Sequence, residues 1–417
     1  MKILIITYSR EVNPGTFLQA YGVQYVFRQL YPNAQIDLIK HKRMYSIAAE
    51  KKNANATHES KWTFVKAKAR AIPRRLKYEV AYRTKFHLTE QEFDFFGYDD
   101  AEFKAFAEGY DLIIVGSDTI LINLEKNGHY GLMWLRGINT QKILFAASAA
   151  PANFVLNDQQ RKDLHESFST FKLLGVRDRV TEHLLRDEIG MGDKVYTQYD
   201  PTYLIPETEF ALPFLTKVKL ERIHKHNKIA LVNFAVTGCP FKKEMTEFLK
   251  EQGYYTISTL YNEWADCNLM SLSPFGWAAM FRYVDLTVTE RFHDSVFTLR
   301  NGKPVLAIDW NSGRFSKDGF SKTQNLLSLY GLDCNHFIAT SLEEAKTAME
   351  YIKNINAEKQ REIIKAHNLH IVDNYSIIMK RIETKLNNKG LHAVNSGGGV
   401  NRLDTYLSSL KVQYNNV

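Results

Sequence analysis

The stretch Asp111-Leu112-Ile113-Ile114-Val115-Gly116-Ser117-Asp118 decides the fold of this 417-residue chain. Four apolar residues in a row run into a small polar turn, the pattern of a strand buried on both faces of a parallel sheet. The same pattern recurs to either side. Upstream lie an apolar strand at residues 2–7, a turn and helix start at Asn13-Pro14-Gly15-Thr16, a helical pattern at 17–30 and a strand at 35–39. Downstream come strands at 142–147 and 173–176, the latter ending in Arg177-Asp178 ahead of a helical segment at 180–186. Asp200-Pro201-Thr202 closes this half, and residues 206–226 read as a linker.

A second alternating series follows, with strands expected at 228–236, 254–258, 286–289 and 305–308, and helices at 242–251, 274–283 and 295–301. A long helix over 342–387 is expected to break near 354–357. The fold class is therefore α/β, with parallel sheets carrying helices on both faces and two domains facing a cleft. The expected divisions are 1–206 with a basic insertion at 41–100, 227–390, and a tail at 391–417. In the tail, Ser396-Gly397-Gly398-Gly399 reads as a flexible linker. Behind it, Leu403, Tyr406, Leu407 and Leu410 share one face of a short amphipathic helix, with packing on its own protein the expected outcome.

Composition narrows the function classes. Three scattered cysteines in no metal-ligand spacing indicate neither a disulfide framework nor a zinc site, and fit a reducing compartment. The first residues read as a buried strand and not as a signal peptide. No apolar run reaches the roughly 20 residues of a membrane helix, so a cytoplasmic protein is expected. The net charge of +8 is unevenly placed: residues 61–85 carry nine lysines and arginines against Glu79 alone, interleaved with Trp62, Phe64, Tyr78 and Tyr82. Such a stretch suits an anionic surface, or is a solvated helix pair. No recognition motif accompanies it, so nucleic acid is not an expected partner.

The ends of the expected strands carry the candidate chemistry. Gly15 and Thr16 open a helix whose free N–H groups suit a phosphate or carboxylate. Gly116, Ser117 and Asp118 either bond a sugar hydroxyl or cap the next helix. Arg177 is a candidate bidentate clamp for an anion, its structural alternative being a salt bridge to Asp178, Asp200 or another acid. In Val288-Thr289-Glu290-Arg291-Phe292-His293-Asp294-Ser295 a strand ends at a cation and an imidazole just where a helix begins. Arg291 there supplies charge and His293 is matched to proton transfer near neutral pH, while Phe292 reads as packing.

Taken in order, residues 13–21, 111–118, Phe145-Ala146-Ala147-Ser148, Gly175-Val176-Arg177-Asp178, Asp200-Pro201-Thr202, Thr289-Glu290-Arg291-Phe292-His293 and Gly302-Lys303-Pro304 resemble the polysaccharide pyruvyl transferase family. The resemblance implies two Rossmann-like domains in a GT-B-like arrangement, the first on the acceptor side and the second on the phosphoenolpyruvate side. It also implies transfer of pyruvate from phosphoenolpyruvate to two hydroxyls of a sugar as a cyclic ketal, in bacterial surface polysaccharide synthesis. Arg177, Arg291 and Lys322 are then expected to hold phosphoenolpyruvate and His293 to donate the proton. Asp118 or Asp294 would accept the hydroxyl proton, and Gly15, Thr16, Gly116 and Ser117 would face the acceptor. Two departures stand out: Asn13-Pro14-Gly15-Thr16 stands where many relatives have Asn-x-Gly-Asp or Asn-Tyr-Gly, and Lys322 stands where relatives often show arginine.

No cofactor or metal is expected, with phosphoenolpyruvate entering as a substrate. The acceptor expected is a polyprenyl-diphosphate-linked sugar, which would bring the protein to the inner face of the membrane. The rival readings are a GT-B glycosyltransferase using a nucleotide sugar and a catalytically inactive carbohydrate-binding scaffold of the same fold. Oligomeric state is not legible.

Overall fold

The computed structural model describes residues 1–42, 61–95, 97, 101–121, 123–150, 154–311, 319, 321–387 and 399–417. Residues 43–60 of the expected insertion and the glycine-rich stretch 396–398 lie outside the described residues. The first half contributes β1 (Lys2–Ile6), β2 (Gln35–His41), β3 (Leu88–Phe93), β4 (Leu112–Val115), the hairpin strands β5 (Glu125–Lys126) and β6 (His129–Tyr130), β7 (Gln141–Ala147), β8 (Leu173–Val176) and β9 (Val195–Thr197). Apart from the hairpin they form one parallel sheet in the order β3-β2-β1-β4-β7-β8-β9. Ile3 to Ile6 and Leu112 to Val115 are fully buried, as runs apolar on both faces require.

The second half contributes β10 (Lys228–Asn233), β11 (Tyr254–Ser258), β12 (Cys267–Asn268), β13 (Leu286–Thr289), β14 (Val305–Asp309) and β15 (His336–Ile338), parallel in the order β12-β11-β10-β13-β14-β15. In each sheet the chain winds outward, returns to the first strand and continues on its other side. The reversal falls between β1 and β4 and between β10 and β13, and ligands of such sheets sit at the strand ends beside that switch.

Several expectations change. The stretch read as an insertion over 41–100 instead carries β3 and a helix, Lys61–Lys85, that together extend the first sheet by a β-α-β crossover. That helix is continuous through Pro73 and not a pair. Nor is it wholly solvated: Arg74 and Tyr78 are buried, and the Arg74 guanidinium donates to the Thr259 carbonyl. The expected linker contains the helix Phe214–His224.

The long C-terminal helix breaks as expected, into Leu342–Lys353 and Ala357–Asn387. Tyr375 of the second piece donates to the Tyr199 carbonyl and packs on Phe145, both in the first half. The last helix, Gly399–Asn415, buries Leu403, Tyr406, Leu407 and Leu410, and Tyr414 donates to the Tyr203 carbonyl at 2.7 Å. It thus packs on its own chain. One apolar cluster runs from Ile3 and Leu112 through Phe210 and Phe275 to Leu231 and Val305, so the halves share a core.

Candidate active site

Three helix starts meet at the switch points. Asn13 caps the helix Pro14–Leu30, its side chain accepting from the Gly15 amide at 3.1 Å, and Pro14 takes the first position, where no N–H is needed. The helix Phe292–Arg300 begins directly behind β13. The helix Lys322–Leu329 is capped by Ser321, which accepts from the Gln324 amide at 3.0 Å. Asn13, Thr16, Arg291, Phe292, His293 and Lys322, all from these starts, line a pocket of about 360 Å³ together with Asp118, Arg177 and Glu290. Helix N-termini favour negative charge, and here three of them and three cationic side chains face the carboxylates of Asp118 and Glu290 across one pocket.

The charges inside are ordered. Arg177 is buried, with Nη1 3.0 Å from Asp200 Oδ2, Nη2 3.5 Å from Asp118 Oδ1 and its guanidinium carbon 5.2 Å from the centre of the Phe292 ring. It therefore makes the salt bridge of its structural alternative while still lining the pocket, and Phe292 is the surface on which it lies. Asp118 Oδ2 accepts from Thr16 Oγ1 at 2.7 Å and Oδ1 from the Thr119 amide at 2.7 Å. Burial opposes ionisation of Asp118, but Arg177, Lys322 and His293 outweigh it and hold the carboxyl below its ordinary range. Lys322 is anchored by donating to Thr119 Oγ1.

His293 sits between the halves. Burial pushes its pKa down to about 4 against the opposing pull of Asp200 and Asp118. Its Nε2 is buried without a hydrogen-bond partner, 3.7 Å from Asp200 Oδ2. The ring lies on the first turn of the helix Pro14–Leu30, so closely that a Cβ on Gly15 would stand 1.9 Å from its Cγ. Gly15 is thus the seat of the imidazole.

The remaining sequence candidates lie one layer back. Gly116 turns the chain at φ 135°, where a Cβ would come 2.1 Å from the Phe145 carbonyl oxygen, and Ser117 is fully buried; neither is part of the pocket wall. Asp294 points inward, accepting from Asn233 Nδ2 at 2.9 Å and Thr289 Oγ1 at 3.0 Å, with Oδ2 3.9 Å from Arg291 Nε. Burial raises its pKa despite Arg291. It steadies Arg291 from behind the wall.

The sequence marks Asp200 as the end of the first half, as one acid that Arg177 can pair with and as part of a stretch that carries the family resemblance, but not as a site residue. It is the centre of the network: Oδ1 takes the Thr202 amide and hydroxyl, and Oδ2 takes Gln19 at 2.5 Å besides Arg177. Its position ahead of a proline, in that family-like stretch, is the signal the sequence offers. Asn233 was missed as well; it bonds Ser258, Thr259 and Asp294 together.

Solved structures with a similar fold include GT-B enzymes. A UDP-GlcNAc 2-epimerase from Neisseria meningitidis, solved with UDP-GlcNAc, aligns at 11% identity over 92% of this chain and 100% of its own, with a TM-score of 0.52. HepE from Anabaena, solved with UDP, gives 11%, 92%, 100% and 0.51. A putative UDP-N-acetylglucosamine 2-epimerase from Listeria monocytogenes aligns at 11% over 100% of this chain and 97% of its own, at 0.50. These likenesses establish the GT-B fold and nothing finer. No curated protein matches the chain. The sequence profile named polysaccharide pyruvyl transferase matches residues 13–312, which contain every side chain described above except Lys322 and Ser321 with its Gln324 partner, and the C-terminal contacts. By that match over most of its length, the chain belongs to the polysaccharide pyruvyl transferase family.

Proposed function

We propose that the protein transfers the pyruvyl group of phosphoenolpyruvate to two hydroxyls of a sugar, forming a cyclic ketal and releasing phosphate. The observation that carries this reading is the convergence of Arg177, Arg291 and Lys322 with His293 and Asp118 on one pocket. A donor bearing a carboxylate and a phosphate needs several separated cationic anchors, and its methylene carbon needs a proton. Arg291 and Lys322 hold the two anionic groups, and Arg177, fixed by Asp200, sets the potential between them.

The free protein holds His293 neutral, with a pKa near 4. The negative charge of the bound donor offsets the burial penalty, so the imidazole gains a proton as the donor enters. His293 then gives that proton to the methylene carbon, and the positive charge appears on the carbon bearing the phosphate oxygen. A sugar hydroxyl adds to this carbon while ionised Asp118 takes its proton. Phosphate departs with the electrons of its C–O bond, and the second hydroxyl closes the ring, its proton returning to the imidazole or leaving on phosphate. Asp294 faces away from the pocket, and this supports our choice of Asp118 as the base and of Asp294 as a positioning residue. No further group enters these steps.

The acceptor in this proposal is a lipid-linked saccharide of surface polysaccharide synthesis. Incubation with phosphoenolpyruvate and candidate glycosides tests the reaction. The expected result is acceptor-dependent phosphate release with a pyruvyl mass gain, slowed about 10²–10⁴-fold by His293→Ala. Turnover of a nucleotide sugar with no use of phosphoenolpyruvate would overturn it in favour of a glycosyltransferase.

A further inference from the structure

The outer side of the helix Lys61–Lys85 carries Ile72, Leu76 and Val80, four residues apart and 58%, 65% and 61% exposed. That spacing makes one apolar stripe along the helix. Arg83, paired with Glu79, is exposed beside it. The other side is tied to the second domain: Arg74 reaches Thr259, Lys77 donates to the Ser271 carbonyl at 2.7 Å, and Lys85 lies 5.0 Å from the Phe275 ring. A helix held this firmly keeps its apolar stripe outward in the folded protein.

The segment that holds it adjoins a second exposed apolar cluster. Phe275 packs on Phe210, and Gly276 lies close to the Ala211 carbonyl, just ahead of the helix Phe214–His224. In that helix Phe214 and Leu215 are 75% and 80% exposed. Residues 214–228 carry Lys217, Lys219, Arg222, Lys225 and Lys228 against Glu221 alone. Two apolar clusters set among cations, on elements joined through one segment, have the composition of an interfacial membrane surface. A second copy of the same face would bring like charges together, whereas an anionic lipid surface complements them.

We infer that these two helices dock the protein on an anionic phospholipid bilayer, with Ile72, Leu76, Val80, Phe214 and Leu215 entering the headgroup region and the flanking lysines and arginines meeting lipid phosphates. The inference rests on the lipid-linked acceptor reading above and deepens it: Thr259, held by Arg74 from the inner side of the same helix, directly precedes Leu260 of the pocket wall, so the docking helix borders the cleft.

The test uses the full chain, without donor or acceptor, so that its failure is distinct from failure of the transferase reading. Sedimentation is measured with phosphatidylglycerol–phosphatidylcholine vesicles and with phosphatidylcholine vesicles alone. Binding is expected only to the anionic vesicles, weakening roughly fivefold for each cation removed, with Lys217→Gln and Lys225→Gln as the probes. The triple substitution Ile72→Ser, Leu76→Ser, Val80→Ser and, separately, Phe214→Ser with Leu215→Ser are each expected to weaken binding on the order of tenfold. Both sets leave turnover of a water-soluble acceptor at the wild-type rate. Equal binding to neutral vesicles, undiminished binding by both variants, or stripe-dependent self-association in sedimentation velocity would each overturn the inference.

Discussion

Gly15→Ala probes the seat of the imidazole without touching any charged group. The added Cβ would stand 1.9 Å from His293 Cγ and 2.0 Å from Nδ1, whereas ordinary contact begins at 3.4 Å, so the ring must retreat by about 1.5 Å. It has little room to do so, because Phe292 meets it edge-on at 5.1 Å between centres and Asp200 stands behind Nε2. Alanine itself suits the first turn of a helix, so the backbone should hold. Misplacing a reacting group by about 1 Å costs roughly 10²-fold in rate, or about 3 kcal/mol in the barrier, and overpacking costs about 1–3 kcal/mol of stability. Phosphate release from phosphoenolpyruvate with a saturating acceptor, measured beside a thermal melt, should show kcat down at least about a hundredfold in a protein that still melts cooperatively. The decisive comparison is a double-mutant cycle with His293→Ala, where the obstructed ring is gone and Gly15→Ala should cost almost nothing more. Full additivity of the two losses, or wild-type turnover of Gly15→Ala, would refute the placement of His293 as the proton carrier.

Three other outcomes follow from the same geometry. Because His293 is neutral at pH 7 in the free protein, phosphoenolpyruvate binding should take up close to one proton; calorimetry in buffers of different ionisation enthalpy reads this, and His293→Gln should remove the uptake. Asp200 raises the His293 pKa, so Asp200→Asn should move the alkaline limb of the kcat profile, where the proton donor is lost, to lower pH and cut kcat at neutrality, an effect that a merely structural residue would not produce. Arg300 is fully buried, pairs with Glu207 at 3.0 Å and donates to the Thr202 and Ile205 carbonyls, so Arg300→Met should lower stability by about 3 kcal/mol, read by denaturant titration.

What the sequence made legible follows from local physics. Lys2–Ile6 and Leu112–Val115 announce themselves because a strand covered on both faces must be apolar at every position. β3 does not: Leu88–Phe93 reads LTEQEF, lies at a sheet edge and buries only Thr89 and Phe93. β9 and β15, three residues each, carry too little pattern to be seen. Strand-end logic located Asp118, Arg177, Arg291 and His293 because parallel strands deliver their carboxyl ends to one side. Asp294 misled, since successive helical residues turn by about 100° and the neighbour of a pocket residue faces elsewhere. Partnerships such as Thr16 with Asp118 or Gln19 with Asp200 join residues 102 and 181 positions apart and exist only once both layers have packed.

The helix Phe292–Arg300 explains why those distant partnerships are precise. Its first turn presents His293 toward Asp200, and its last residue, Arg300, grips the carbonyls of Thr202 and Ile205. Both ends of one second-domain helix therefore hold one short first-domain segment, residues 200–205. The Arg300 guanidinium also lies 4.9 Å from the Phe210 ring and 5.9 Å from that of Tyr414, so the linker and the C-terminal helix close over the same grip. A buried cation that satisfies backbone carbonyls on a neighbouring segment fixes register more strictly than apolar contact, which tolerates sliding. The proposed catalytic arrangement needs that strictness, because Asp118 and Arg177 come from one sheet, and Arg291 and His293 come from the other. A proton carrier on one domain and a base on the other can meet one substrate only if the domains cannot slip along the helix that joins them.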